Sequence, residues 1–122
     1  MAKAYYQNGV LKAEVQYEND KRVGIVKDYY SNGKLKSEAL FINGVQEGIT
    51  TIYDEQGFIL AEVPYLDGKK EGLAKEYYQT GMLKGEVTFK DDQVYKIGNN
   101  AGCLKPILIL IFFLIVIIML ID

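Results

Sequence analysis

The sequence predicts a mainly β fold: an elongated single-layer antiparallel meander of β-hairpin repeats over residues 1–98, followed by one C-terminal transmembrane α-helix. Three observations predict it. A 24-residue period runs from Tyr5 to about Gly98, marked by Gly9, Gly33, Gly57 and Gly81 and by Glu14, Glu38, Glu62 and Glu86. Within each period, turn residues alternate with stretches of period-two hydrophobicity. Beyond residue 106 the chain becomes uniformly apolar.

The first residues, Met1 to Tyr6, contain no apolar run, so no secretory signal is expected there. The first unit then sets the pattern. Asn8-Gly9 and Asn32-Gly33 read as two-residue type I′ turns, in which both central residues need positive φ. Gln56-Gly57 and Thr80-Gly81 keep only the glycine. A second turn follows in each unit, at Asn19-Asp20, Asn43-Gly44, Asp67-Gly68 and Asp91-Asp92. Between turns, Leu11, Ala13, Val15 and Tyr17 point one way, and Lys12, Glu14 and Gln16 the other. Short strands joined by tight turns give eight or nine strands and no helix before residue 98.

These turns imply a register. A two-residue loop at Asn32-Gly33 places Tyr30 opposite Leu35 and Asp28 opposite Ser37. One at Asn43-Gly44 places Ala39 opposite Gly48 and Glu38 opposite Ile49. The apolar face then carries Tyr30, Leu35, Phe41 and a small-residue column of Ala13, Ser37, Ala61 and Gly85. Gly24, Gly48 and Gly72 read as room for aromatic rings to lie across the sheet, or as bends. The other face, with Tyr29, Ile25, Lys36 and Glu38, is mixed. One apolar face without a helix to cover it must curl on itself, pair with another copy or bind a partner. The end strands also invite edge-to-edge pairing. Both arguments favour a protein partner or a homo-oligomer.

Composition removes several function classes. The formal charge of −2 and the alternation of lysines with carboxylates give no basic stripe for nucleic acid. There is no histidine, which removes the commonest general base and metal ligand. Cys103 is the single cysteine, so neither an intrachain disulfide nor a thiolate zinc cluster is possible. No catalytic, metal or cofactor site and no small-molecule substrate are expected.

The unit Y-Y-x-N-G-x-L-K-x-E-x-x-Y/F-x-N-G-x-x-x-G resembles the variant MORN repeat of bacterial proteins. Tyr29-Tyr30-Ser31-Asn32-Gly33-Lys34-Leu35-Lys36-Ser37-Glu38, then Phe41, Asn43-Gly44 and Gly48, is the clearest copy. Tyr77-Tyr78, Gly81, Leu83-Lys84, Glu86 and Phe89 follow it closely. The third copy departs, with Asp54 at the second tyrosine and Leu60 at the lysine, and the last half-unit has Lys96 at the glycine. The resemblance implies consecutive β-hairpins in a twisted sheet, used for protein or membrane association. It supplies no catalytic residues, and some family members are labelled antitoxins.

Asn99-Asn100-Ala101-Gly102 opens a short linker, 99–105, before the apolar segment 106–121. Ile107 to Ile121 contains only Ile, Leu, Val, Phe and Met, with no polar face. Pro106, Phe112, Phe113 and Ile121 belong to this expected span. It is shorter than the ~20 residues of an ordinary span, but its composition favours insertion, and Lys105 can snorkel. A small sheet could not bury so many large apolar residues on every side. Lys96 and Lys105 precede the span and only Asp122 follows it, which puts the repeats in the cytoplasm of a single-pass, tail-anchored membrane protein.

The glutamate column could tempt a catalytic reading. Equivalent positions lie two strands apart, roughly 9–10 Å at ~4.8 Å per strand, and a column that repeats indefinitely makes no unique pocket. Cross-strand pairing of Glu14, Glu38, Glu62 and Glu86 with Lys12, Lys36, Lys84 or tyrosine hydroxyls is the favoured reading. Tyr17, Phe41, Tyr65 and Phe89 read as packing. Tyr5, Tyr29, Tyr53, Tyr77, Ile25, Ile49 and Leu73 form the candidate interaction face. Function is then expected to be non-enzymatic: a membrane-anchored interaction and assembly module. The alternatives are an antitoxin or immunity protein, and a membrane-perturbing effector of a bacterial defence system.

Overall fold

The computed structural model describes residues 1–98. The predicted linker and transmembrane helix, with Pro106, Phe112, Phe113 and Ile121, lie outside the described residues. Ten strands form one open antiparallel sheet: β1 (Ala2–Tyr5), β2 (Leu11–Glu18), β3 (Lys21–Tyr29), β4 (Leu35–Ile42), β5 (Val45–Tyr53), β6 (Ile59–Leu66), β7 (Lys69–Lys70), β8 (Gly72–Tyr77), β9 (Leu83–Lys90) and β10 (Gln93–Gly98). Each strand pairs with its sequence neighbours, except that β7 and β8 both pair with β6 as two halves of one strand interrupted at Glu71. That interruption, and β1 ahead of the first period, bring the count to ten rather than eight or nine. No helix occurs among the described residues.

The two turn families differ in kind. Asn19-Asp20, Asn43-Gly44, Asp67-Gly68 and Asp91-Asp92 all have positive φ at both central residues, from 50° to 82°. These are the type I′ turns, and Asn and Asp serve there because their short polar side chains tolerate the left-handed region. In the other family only Gly9, Gly33, Gly57 and Gly81 have positive φ. At the second of these loops the Gly33 N–H donates to the Tyr30 carbonyl and the Tyr30 N–H to the Lys34 carbonyl, at 2.9 and 2.8 Å. This is a three-residue loop with a left-handed glycine, not a type I′ turn. The loop therefore shifts the register. Asp28 faces Ser37 as expected, but Leu35 faces Tyr29 rather than Tyr30. It also explains why units with Gln56 or Thr80 before the glycine still turn.

The in-strand glycines correct a second expectation. Gly24, Gly48 and Gly72 have φ of 74°, 72° and 108°. A Cβ at Gly24 or Gly48 would meet nothing within 4 Å, so backbone conformation, not close packing, selects glycine. Each glycine opens a larger bulge with two residues in excess of the partner strand. Leu40 faces Glu47, but the next paired residue, Glu38, faces Thr51 rather than Ile49, and Ala39 is left opposite a three-residue stretch that starts at Gly48. In β10 the equivalent residue is Lys96, which disfavours positive φ. There the irregularity skips only Tyr95, between Val94–Phe89 and Lys96–Thr88. Ile97 is thereby turned against the core cluster, whereas its period-mates Ile25 and Ile49 are exposed.

One face is the inside of a curled sheet. Ile52, Ala61, Val63, Ala74, Val87 and Phe89 form its core, with Val26 and Ala39 buried beside it. The small column fits across from larger neighbours, since Ser37 faces Asp28 and Ile52, Ala61 faces Ile52 and Glu76, and Gly85 faces Glu76. The aromatic column lies opposite the bulge glycines, Phe41 to Gly24, Tyr65 to Gly48 and Phe89 to Gly72. Phe41 and Phe89 are covered instead by cations from the preceding hairpin: Arg22 lies 5.5 Å from the Phe41 ring centre and Lys70 5.0 Å from that of Phe89. Arg22, Phe41, Tyr65, Lys70 and Asp92, from distant strands, border one recess, so the apolar face closes on itself by curvature.

Candidate interaction face

The glutamate column is tied up by tyrosines. Tyr29 Oη donates to Glu14 Oε1 at 3.2 Å and Tyr53 Oη to Glu38 Oε1 at 3.0 Å, and Tyr77 makes the same bond to Glu62. Each bond joins the glutamate of one repeat to the first tyrosine of the next, fifteen residues on. Lys27 sits in register between Glu14 and Glu38, Thr51 between Glu38 and Glu62, and Lys75 between Glu62 and Glu86. The carboxylates are therefore structural rungs. Their cost appears on the phenols: the bond to Glu62, then burial, pushes Tyr77 up to about 12. Burial, then Glu14, raises Tyr29, and burial, then Glu38, raises Tyr53. A neutral phenol donates to a carboxylate; a phenolate would repel it.

A second set of bonds, absent from the sequence reading, runs along the loops. Tyr6 Oη donates to the Tyr29 carbonyl and Tyr30 Oη to the Tyr53 carbonyl, both at 2.6 Å. Lys12, Lys36 and Lys84 place their ammonium groups 5.6, 5.9 and 5.7 Å from the ring centres of Tyr6, Tyr30 and Tyr78. Leu60 and Asp54 occupy these two positions in the third repeat, so the cation and its ring were replaced together. Leu60 packs against the core, and Asp54 Oδ1 accepts from the Gln56 and Phe58 N–H groups to hold its own loop. That joint departure in the sequence was the signal that the two positions touch.

Of the candidate interaction residues, Tyr29, Tyr53 and Tyr77 thus spend their hydroxyls on the glutamates, while Tyr5 is 59% exposed. The aliphatic members are the ones left open. Ile25, Ile49 and Leu73 are 50%, 60% and 44% exposed. Strand alternation, which the two-residue excess at each glycine preserves, puts them on the outer face, where Ile25 faces Leu40 and Ile49 faces Pro64. The result is an apolar row crossing the middle strands, extended toward the type I′ turns by exposed Ile42, Val45 and Leu66. The structural glycines Gly9, Gly33, Gly57 and Gly81 lie in the loops at the opposite strand ends.

The inner face holds one buried carboxylate. Glu76 is 1% exposed, with Oε1 3.2 Å from Lys84 Nζ. Burial raises its pKa and Lys84 only partly offsets this. Among the described residues no group of three acidic, histidine or cysteine side chains could hold a metal ion, and no helix is long and apolar enough to cross a membrane.

A family model described as MORN repeat variant matches residues 2–19, 22–43 and 70–91, together about half of the chain. The unmatched stretch, 44–69, contains Asp54 and Leu60, where the unit departs from its pattern. No curated protein matches the chain.

Proposed function

The chain belongs to the MORN repeat variant family, and from that premise we propose that it is a non-enzymatic, membrane-anchored protein-interaction and assembly module. The observation that carries this reading is the exposed row of Ile25, Ile49 and Leu73 on the outer face. The curled inner face satisfies its own apolar groups, and the glutamates and tyrosines satisfy each other. The outer row alone repeats an apolar side chain at every bulge without cover. An exposed apolar patch of this kind is a docking surface by default. The uniform Ile107–Ile121 segment supports a bilayer anchor close to the sheet, with the repeats on the cytoplasmic side.

Two measurements test the parts separately. The full chain is expected to resist alkaline extraction from membranes, and a chain ending at Gly98 to be released. Full-length bait is expected to recover a specific partner or further copies of itself, and Ile25→Lys/Ile49→Lys/Leu73→Lys to lose them. A monomeric bait that recovers nothing specific, or a triple variant that recovers everything, defeats the interaction reading.

A further inference from the structure

In a repeat, the place where one unit differs from its siblings is where specificity can reside. A cavity of about 350 Å³ opens at the junction of the third and fourth units, lined by Phe58, Ile59, Glu62, Tyr77, Tyr78 and Gln79 among others. Its rim is held by the Gln79 amide, 3.4 Å from Asp54 Oδ2 and 3.3 Å from Gln56 Oε1. Its walls are apolar and aromatic, and its polar wall carries the Glu62 carboxylate.

The preceding junction shows what such a place accepts. There the residue equivalent to Phe58 is Lys34, whose Nζ crosses to the next loop and donates to the Gln56 carbonyl at 3.0 Å. The carbonyl equivalent to Gln56 at the cavity is that of Thr80, between the lining residues Gln79 and Gly81. Phe58 cannot donate to it. Successive units carry Val10, Lys34, Phe58 and Met82 at this position, so the third puts an aromatic wall where the second puts its own ammonium. Elsewhere the same fold repeatedly sets lysine ammonium groups against tyrosine rings. Lys84 already lies over Tyr78, so Phe58 and Tyr77 are the rings left for a ligand.

We propose that this cavity receives a primary ammonium group, presented as a lysine side chain of a partner protein, between the Phe58 and Tyr77 rings and against Glu62 and the Thr80 carbonyl. The inference deepens the interaction-module reading and rests on it. Aromatic walls with one carboxylate suit a cation stripped of part of its water. The aliphatic stem of lysine suits Ile59 and Phe58.

The test uses the full chain in dodecyl maltoside with labelled phenylalanine and tyrosine rings, titrated with Nα-acetyl-lysine-N-methylamide. Saturable shifts at Phe58 and Tyr77 are expected, weakened at least about fivefold by Glu62→Gln. Phe58→Lys, which installs the second unit's residue, is expected to fill the site and abolish binding with the fold intact by circular dichroism. The neutral norleucine analogue is expected to bind at least about fivefold more weakly. No shift at any soluble concentration, equal binding of norleucine, or undiminished binding by Phe58→Lys overturns the site. If phosphatidylethanolamine added to the micelles occupies it in preference to the lysine probe, a lipid is the occupant and the protein-lysine assignment falls. A pull-down lost in the Ile25/Ile49/Leu73 variant but retained in Phe58→Lys would sink this inference alone.

Discussion

The second and third repeats share a backbone path but not a way of holding it. In the second, Tyr30 is 9% exposed and reaches across to the Tyr53 carbonyl, with Lys36 over its ring. In the third, Asp54 Oδ1 ties its own loop and Oδ2 takes only a long 3.4 Å bond from the Gln79 amide, while Leu60 joins the core. The second repeat sends a buried tyrosine to its successor's backbone; the third lacks that bond and has burial beneath it instead. The core cluster lies under the third and fourth units, which is where the inter-loop bond is dispensable. A repeat position therefore tolerates change where its neighbours supply the lost stability from another source.

The largest expected effect breaks the contrast directly. Tyr30→Ala removes a buried ring and its hydrogen bond, and is expected to cost about 3 kcal/mol in urea denaturation. Asp54→Ala, at the same repeat position, loses three exposed acceptor contacts and is expected to cost about 1 kcal/mol. Equal losses would mean the third repeat is not held by its core.

The next effect concerns the column Asp28, Ile52, Glu76, apolar in the second repeat and acidic in the third. Burial raises the Glu76 pKa, so the folded state holds this proton more tightly than the unfolded state. The stability from that proton is present below the ordinary carboxylate range and lost as pH rises through the folded pKa. Glu76→Gln is accordingly expected to be more stable than the wild type at pH 7. The gain should vanish below about pH 4, as read from denaturation midpoints across pH. A pH-independent difference would show that the charge is not what separates the variants.

A double-mutant cycle sharpens the comparison further. Leu60→Lys alone places an ammonium group where no ring faces it. With Asp54→Tyr as well, a coupling of about 0.5–1 kcal/mol is expected from the restored pair. Zero coupling would detach the joint replacement from the lysine–tyrosine contact. The smallest effect tests the glutamate rungs. Tyr77→Phe is expected to cost about 0.5 kcal/mol at neutral pH. Its folded pKa, near 12, lies above the ordinary phenol value. The wild type should therefore lose stability as pH rises from about 10 through that value, and the variant should lose less.

Much of this was legible in the residues. The spacing of Gly9, Gly33, Gly57 and Gly81 gave the repeat and its loops, and alternation from Leu11 to Tyr17 gave the strands and their faces. Cross-strand chemistry offered the glutamates either lysines or tyrosine hydroxyls, and the structure selects the tyrosines. What the sequence hid was conformational. Asn32-Gly33 and Asn43-Gly44 are the same dipeptide, yet one supplies a single left-handed residue and the other two. The number depends on strand twist and on how the loop stacks on the next, which no dipeptide encodes. The bulge at Gly48 likewise gave Glu38 the partner Thr51 in place of Ile49, which stays on the face the alternation assigned it. The cavity beside Phe58 was invisible for a different reason. It depends on what Lys34 does one repeat earlier, a comparison that needs coordinates.

The order of the strands has a mechanical consequence. The chain beyond Gly98 leaves from β10, which lies at one margin of the sheet and pairs only with β9. A pull on that end meets the outermost pairing first, so rupture advances hairpin by hairpin instead of shearing all strands at once. Such a sheet would yield at low force in successive steps and lengthen greatly before its far margin felt any tension. Held from that end, it would act less as a rigid strut than as a coiled tether.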